Sequence, residues 1–111
     1  MQNTTYKPVY VVDGTRTPFL KARGVRGSFS ASDLATKASQ ALLAKLHVAP
    51  DTLDEVIMGC MIPSENEANI GRIIALRTGC GHRVPGWTVQ RNCASGMQSL
   101  DAAYQNIATG R

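Results

Sequence analysis

The sequence is poor in the residues that build disulfide frameworks and zinc sites. Only three cysteines occur among 111 residues, and no two of them form a C-x-x-C pair. The odd number formed by Cys60, Cys80 and Cys93 argues against a disulfide framework. His47 and His82 lack the spacing to these cysteines that zinc ligands need. We therefore expect free thiols, a reducing compartment and no metal site.

Long apolar stretches and targeting signals are also missing. No apolar run reaches the ~18 residues that suggest a membrane span. Residues 1–7 are polar and contain neither the apolar segment of a signal peptide nor an Arg-rich amphipathic pattern. These features predict a cytoplasmic protein that has no membrane partner.

Concentrated positive charge, which nucleic-acid binding requires, is not apparent. The net charge is +4, from 12 Lys and Arg against 8 Asp and Glu, and the basic residues are scattered along the chain. Aromatic residues make up only 5% of the chain and are not interleaved with basic ones for base stacking. We therefore expect no nucleic-acid partner.

The apolar pattern predicts an α/β fold with the element order β-α-β-α-β-α. The predicted strands are 9–13, 53–61 and 87–90, and the predicted helices are 30–46, 69–77 and 94–109. Such alternation predicts a mostly parallel sheet with right-handed crossovers and helices on both faces. The length suits one domain or part of a larger one.

Cys93 occupies the junction between the third predicted strand and the third predicted helix. Free N–H groups and the positive end of the helix dipole favour a thiolate at such a position. A thiolate exchanges acyl groups readily with thioesters. Ala94, Ser95 and Gly96 are small and leave room for an acyl chain, and the N–H of Cys93 is a candidate donor to an oxyanion.

The local pattern also permits a purely structural role for Cys93. A single cysteine is more often a buried packing residue than a nucleophile, and no partner base can be identified from the sequence. We expect packing roles for Cys60, inside a predicted strand, and Cys80, between two glycines. His47 ends the first helix, where its charge suits the dipole, and His82 is expected on the surface.

Four segments of the chain resemble thiolases and occur in the order found in that family. They are 11–18 (VVDGTRTP), 54–59 (DEVIMG), 69–72 (NIGR) and 92–100 (NCASGMQSL). The last resembles the segment that carries the acyl-accepting cysteine of thiolases. Residues 1–111 thus resemble a partial N-terminal thiolase domain, which stops before the last strands of the first half.

The resemblance implies acyltransferase chemistry at Cys93, with a coenzyme A thioester as substrate and no separate cofactor. Cys93 would take the acyl group, which coenzyme A then cleaves or an acetyl carbanion attacks. The resemblance also implies partnership with the remaining thiolase half, a homo-oligomer for the full-length protein, and burial of the third helix between two sheets. Two histidines and a second cysteine come from the other half in this family, so the isolated chain is expected to be inactive.

Two alternatives remain at this point. One is a segment of a ketoacyl-synthase-like condensing enzyme, which shares the fold and a cysteine nucleophile. The other is a non-catalytic oligomerisation or binding fragment. The D-x-x-R-T-P pattern at 13–18 favours a thiolase. We expect Asp13, Arg16 and Pro18 in this pattern to be structural, although contact between Arg16 and the phosphates of coenzyme A is a competing possibility.

Overall fold

The computed structural model describes residues 5–25 and 27–111, which form three helices and two strands. The elements are α1 (Ala31–Leu46), β1 (Val56–Gly59), α2 (Ile70–Thr78), β2 (Gly86–Val89) and α3 (Ser95–Thr109). Short 3-10 turns at Pro50–Thr52 and Glu65–Glu67 lie in the connections. All three predicted helices and two of the three predicted strands are therefore present.

The two strands run parallel and share one carboxyl edge. Val56 pairs with Gly86 at one end and Gly59 with Val89 at the other. The N–H of Cys60 donates to the carbonyl of Val89 at 3.1 Å, which extends the pairing one residue beyond β1. Because parallel strands end on the same side, the segments that follow β1 and β2 lie next to each other.

Helices cover both faces of the sheet, as predicted. The Thr88 hydroxyl accepts a hydrogen bond of 2.9 Å from the N–H of Gly71 in α2. The neighbouring Trp87 points the other way, since its indole donates at 2.9 Å to Glu55. The carboxylate of Glu55 also accepts from Asn106 of α3. Alternate residues of β2 thus face α2 and α3.

The prediction of a first strand at residues 9–13 is wrong for the described chain. This segment belongs to no strand, and the nearby backbone bond from Lys7 N–H to the Ala108 carbonyl joins it to α3 rather than to the sheet. Val11 and Val12 are 85% and 78% exposed. A β-branched pattern identifies residues that suit a strand, but a strand also needs a paired neighbour, and the described residues supply none here.

The buried core is small and lies where β1, α2 and the segment after α2 meet. Ala75, Cys80 and Val84 are buried together, with Leu53 and Val56 packed against them. Burial raises the pKa of the Cys80 thiol. Cys80 is therefore a packing residue, in agreement with the role expected from its sequence context.

Polar side chains join α1 to α2. Ser30 and Asp33 form a capping box at the start of α1, and the hydrogen bond from the Ser30 N–H holds the pKa of Asp33 below its usual value. The buried Ser32 hydroxyl bonds to the Glu67 carboxylate and accepts from the Arg77 guanidinium at 2.7 Å. Arg77 also lies 3.4 Å from the Asp33 carboxylate. This network fixes how the two helices pack.

One face of α3 packs against the sheet and the other is open. Met97, Leu100, Tyr104 and Ile107 are exposed on the open face. In the described ranges α3 packs against a single sheet, so the burial between two sheets that the resemblance implied is not observed. Among the described helices, none is long and apolar enough to cross a membrane.

Candidate active site at Cys93

Cys93 lies at the carboxyl edge of the sheet, in the turn from β2 into α3. Its side chain is exposed, and α3 begins two residues later at Ser95. The N-cap residue of α3, Ala94, makes no side-chain cap. The N–H groups of Ala94 and Ser95 bond to the Arg91 and Asn92 carbonyls at 3.1 Å, so neither is free for a ligand. The positive end of the helix dipole still favours negative charge at this end of α3.

The buried Ser95 side chain holds the turn that carries Cys93. Its hydroxyl accepts from the Arg91 N–H at 2.8 Å and donates to the Asn92 carbonyl at 2.7 Å. The Gln90 side-chain carbonyl accepts from the Asn92 N–H at 2.9 Å. The residues before Cys93 are thus tied to each other and to α3. The sequence identified Ser95 only as a small residue, so the two hydrogen bonds of its hydroxyl were not predicted.

Asn92 has a left-handed backbone, with φ of 52°. L-residues rarely adopt this region, and asparagine and glycine are the residues that tolerate it best. The strained residue directly precedes the cysteine and turns the chain from the end of β2 into α3. The conformation therefore places the thiol at the exposed edge of the sheet.

Substitution of Asn92 tests whether this backbone conformation exists. Asn92→Gly should keep or slightly raise stability, because glycine adopts positive φ without steric cost. Asn92→Val should lower the free energy of unfolding by about 1–3 kcal/mol, because a β-branched residue is strained there. Urea unfolding of both variants measures the difference. Equal stability of the two variants would contradict a left-handed residue before Cys93.

Glycines at two positions shape the surroundings of the thiol. A Cβ on Gly59 would lie under 3.0 Å from the backbone of Ser95 and Gly96, so the first turn of α3 can rest directly on the end of β1. A Cβ on Gly96 would meet no atom within 4 Å, so space is open on that side of the turn. The Cys93 sulfur lies 4.0 Å from the Met61 sulfur, in the segment that follows β1.

The structure keeps the other cysteines and the histidines away from direct bonding with Cys93. Cys60 is half-buried, and His47 caps α1 in a left-handed conformation with its N–H bonded to the Ala44 carbonyl. His82 is exposed in the segment between α2 and β2. Within the described ranges, no three His, Cys, Asp or Glu side chains are grouped so as to hold a metal ion.

The 69–72 motif serves to join α2 to β2. Asn69 caps α2 through its side-chain oxygen, which accepts from the Arg72 N–H at 3.4 Å and from the Thr88 hydroxyl at 2.8 Å. Its amide donates to the Gly86 carbonyl at 3.3 Å. The Arg72 guanidinium donates to the Val84 carbonyl at 2.8 Å. Both ends of the motif thus bond backbone around β2, and their role is structural.

The 13–18 motif has one end anchored to α1. The Asp13 carboxylate lies 2.9 Å from the Lys45 ammonium and accepts from the Gly14 N–H at 2.7 Å. The hydrogen bond from Lys45 holds the pKa of Asp13 below its usual value. These contacts support a structural role for Asp13. The Arg16 guanidinium lies 5.9 Å from the ring centroid of Phe19, and its structural role stays a prediction.

Comparison with known proteins decides between the two enzyme families. The family profile described as "Thiolase, N-terminal domain" matches residues 9–111. The chain belongs to the thiolase family. It is 39% identical over 100 residues to human mitochondrial 3-ketoacyl-CoA thiolase, covering 89% of this chain and 25% of that protein. It is 33% identical over 102 residues to acetyl-CoA acetyltransferase from Allochromatium vinosum, covering 92% and 26%.

Solved thiolase structures share the fold of this segment. The match to acetyl-CoA acetyltransferase from Syntrophomonas wolfei has a TM-score of 0.70 and 35% identity, covering 75% of this chain and 21% of that one. The match to human mitochondrial 3-ketoacyl-CoA thiolase in complex with CoA has a TM-score of 0.68 and 38% identity, covering 72% and 21%. The chain thus spans about a quarter of the length of the curated relatives it matches.

Proposed function

We propose that Cys93 is the nucleophile of a thiolase-type acyltransferase and accepts the acyl group of a coenzyme A thioester. The observation that carries the proposal is the exposed thiol in the tight turn before α3, in a chain that belongs to the thiolase family. This position combines access for a substrate with the positive end of a helix.

The proposed first step is transacylation. The Cys93 thiolate attacks the thioester carbonyl and forms a new S–C bond, and the tetrahedral oxygen accepts hydrogen bonds from backbone N–H groups, with that of Cys93 as the first candidate. Collapse of this intermediate breaks the bond to the coenzyme A sulfur, which leaves as a thiolate and takes up a proton. In the condensing direction, the α-carbanion of acetyl-CoA then attacks the acyl-cysteine, which forms a C–C bond and releases the Cys93 thiolate. In thiolysis, the Cys93 thiolate instead attacks the 3-keto carbonyl of a 3-ketoacyl-CoA, the C2–C3 bond breaks, and acetyl-CoA leaves as its α-carbanion and takes up a proton. Coenzyme A then cleaves the acyl-cysteine to a new thioester.

The remaining groups of the mechanism come, in this proposal, from the other thiolase half. A base must deprotonate the thiol, and an acid/base group must move the α-proton in carbon–carbon bond chemistry. The helix dipole alone contributes about 0.3–1 kcal/mol at exposed sites. Enzymes typically supply ~8 kcal/mol or more. We therefore infer that the 111-residue chain is inactive alone. Separately, membership of the thiolase family supports the proposal that the complete protein is a homo-oligomer.

Thiolysis of acetoacetyl-CoA tests the proposal in two preparations. The 111-residue chain alone should show no turnover above the uncatalysed rate. A chimera in which this chain replaces the corresponding segment of the Syntrophomonas wolfei acetyl-CoA acetyltransferase should turn over substrate. Turnover by the isolated chain would contradict the need for a second half. A chimera that is folded by circular dichroism and yet inactive would contradict the acyltransferase proposal.

A further inference from the structure

The Met61 side chain touches the sulfur of the proposed nucleophile. Its Sδ lies 4.0 Å from Cys93 Sγ, where the thiol donates a weak hydrogen bond to the thioether. Met61 is 43% exposed, so its side chain is not enclosed by the described residues. Neither the sequence motifs nor the chemistry of transacylation described above gives Met61 a role.

Sheet pairing and helix packing fix the position of Met61 relative to Cys93. The hydrogen bond from the Cys60 N–H to the Val89 carbonyl brings the chain directly before Met61 onto the end of β2. The close approach of the α3 first turn to Gly59 fixes the helix against the end of β1. The ends of two paired strands and one packed helix therefore position the two sulfur atoms. Their contact is determined by the pairing of the sheet and the packing of α3.

The surroundings of the thiol include one side chain in contact with it and one open position in the following helix turn. A Cβ on Gly96 would meet nothing within 4 Å outside its chain neighbours and its own helix. In the segment after β1, the Met61 thioether is in contact with the Cys93 sulfur. An acyl group bonded to the sulfur therefore begins beside Met61 and must extend along this side chain or away from it.

We propose that Met61 forms one wall of the acyl-binding space and limits the length of the acyl group that Cys93 accepts. This inference rests on the proposed acyl transfer to Cys93. Methionine suits the task because its unbranched, polarisable side chain adapts to straight apolar chains. A larger side chain at this position shortens the space beside the sulfur, and a smaller one lengthens it.

The test compares acyl-chain preference in variants of the chimeric enzyme. The quantity measured is kcat/KM for thiolysis of a twelve-carbon 3-ketoacyl-CoA relative to a four-carbon one. Met61→Ala should raise this ratio about 10-fold, and Met61→Trp should lower it about 10-fold, since apolar pocket changes of this size alter specificity by such factors. Ile62→Ala is the matched control, because Ile62 is the next residue, is exposed, and lines a hollow with Phe29 and Glu67 that does not include Cys93. The control should leave the ratio unchanged.

A second assay needs no catalysis and uses the 111-residue chain itself. The Cys93 sulfur adds across the double bond of N-ethylmaleimide or N-dodecylmaleimide, and mass spectrometry follows both rates. Met61→Ala should raise the dodecyl-to-ethyl rate ratio, and Met61→Trp should lower it. The maleimide assay therefore tests the role of Met61 even if the chimera does not fold.

The outcomes separate this inference from the proposed function. Loss of turnover in a folded chimera, with the maleimide ratios shifted as expected, would count against acyl transfer while supporting Met61 as the wall. Unchanged ratios in both Met61 variants would overturn the inference, even with full activity. An equal shift in Ile62→Ala would also overturn it, because the effect would then come from loosening of the segment after β1.

Discussion

Cys93→Ser in the chimeric enzyme is expected to lower kcat for thiolysis by on the order of 10³-fold or more, because removal of a catalytic nucleophile has effects of at least this size. The serine hydroxyl is a weak nucleophile without a well-placed base, and an acyl-serine ester is a poorer acyl donor to coenzyme A than an acyl-cysteine thioester. The turnover number at saturating substrate measures the effect.

Cys60→Ser is the matched control for this substitution. Cys60 is half-buried and follows β1, and it bonds to the Val89 carbonyl through its backbone N–H. The control should retain most of the thiolysis activity, and circular dichroism should show both variants folded. If Cys93→Ser retained activity and Cys60→Ser lost it, the nucleophile would be Cys60 after β1 and not Cys93 after β2. That result would contradict the proposed mechanism.

Gly71→Ala is expected to destabilise the chain by about 3 kcal/mol or more, at the upper end of the cost of overpacking. A Cβ on Gly71 would lie under 3.0 Å from the backbone carbonyl group of Trp87 in β2. Because the atoms it meets belong to the backbone of the sheet, no side chain can rotate away to make room. The helix must move, which also breaks the 2.9 Å hydrogen bond from its N–H to Thr88.

Gly96→Ala is the matched control, because Gly96 and Gly71 are each the second residue of a helix. Helix propensity alone favours alanine by about 1 kcal/mol in a helix interior, so it opposes the expected loss at Gly71. A Cβ on Gly96 would touch nothing within 4 Å, so this variant should be neutral or slightly stabilised. Urea unfolding measures both. Equal stability of the two variants would show that α2 does not lie against β2 as described.

The helices were predictable because their signals are local. Ser30 and Asn69 cap α1 and α2, and Gly79 and Gly110 end α2 and α3 in left-handed conformations. Each of these signals lies within one turn of the element that it delimits. The predicted helix boundaries therefore agree with the structure to within one residue at either end.

The strands were less predictable because their existence depends on distant partners. The strand predicted at 53–61 shrinks to Val56–Gly59, which is the length that β2 can pair. The segment 9–13 has the same apolar and β-branched character, yet it pairs with no strand of the described chain. Pairing depends on which segments meet in space, and the local pattern carries no information on this.

The candidate site was predictable at Cys93 and not around it. A strand-to-helix junction places a cysteine at the edge of a sheet, and this could be inferred from the order of elements alone. The neighbour Met61 is 32 residues away and comes into contact only through the register of β1 and β2. The two hydrogen bonds of the Ser95 hydroxyl could not be predicted for a different reason. Both are made to backbone groups of the turn, whose conformation the sequence pattern does not specify.

The most direct test of the central claim is to locate the acyl group after one half-reaction. Trypsin should place Cys60, Cys80 and Cys93 in three different peptides, 46–72, 78–83 and 92–111, because Lys or Arg residues separate them. The chimeric enzyme is incubated with acetyl-CoA, quenched in acid, digested and examined by mass spectrometry. The proposed mechanism predicts an acetyl group on peptide 92–111 that is absent in Cys93→Ser. An acetyl group on peptide 46–72 or 78–83, or one that persists in Cys93→Ser, would contradict the assignment of Cys93 as the nucleophile.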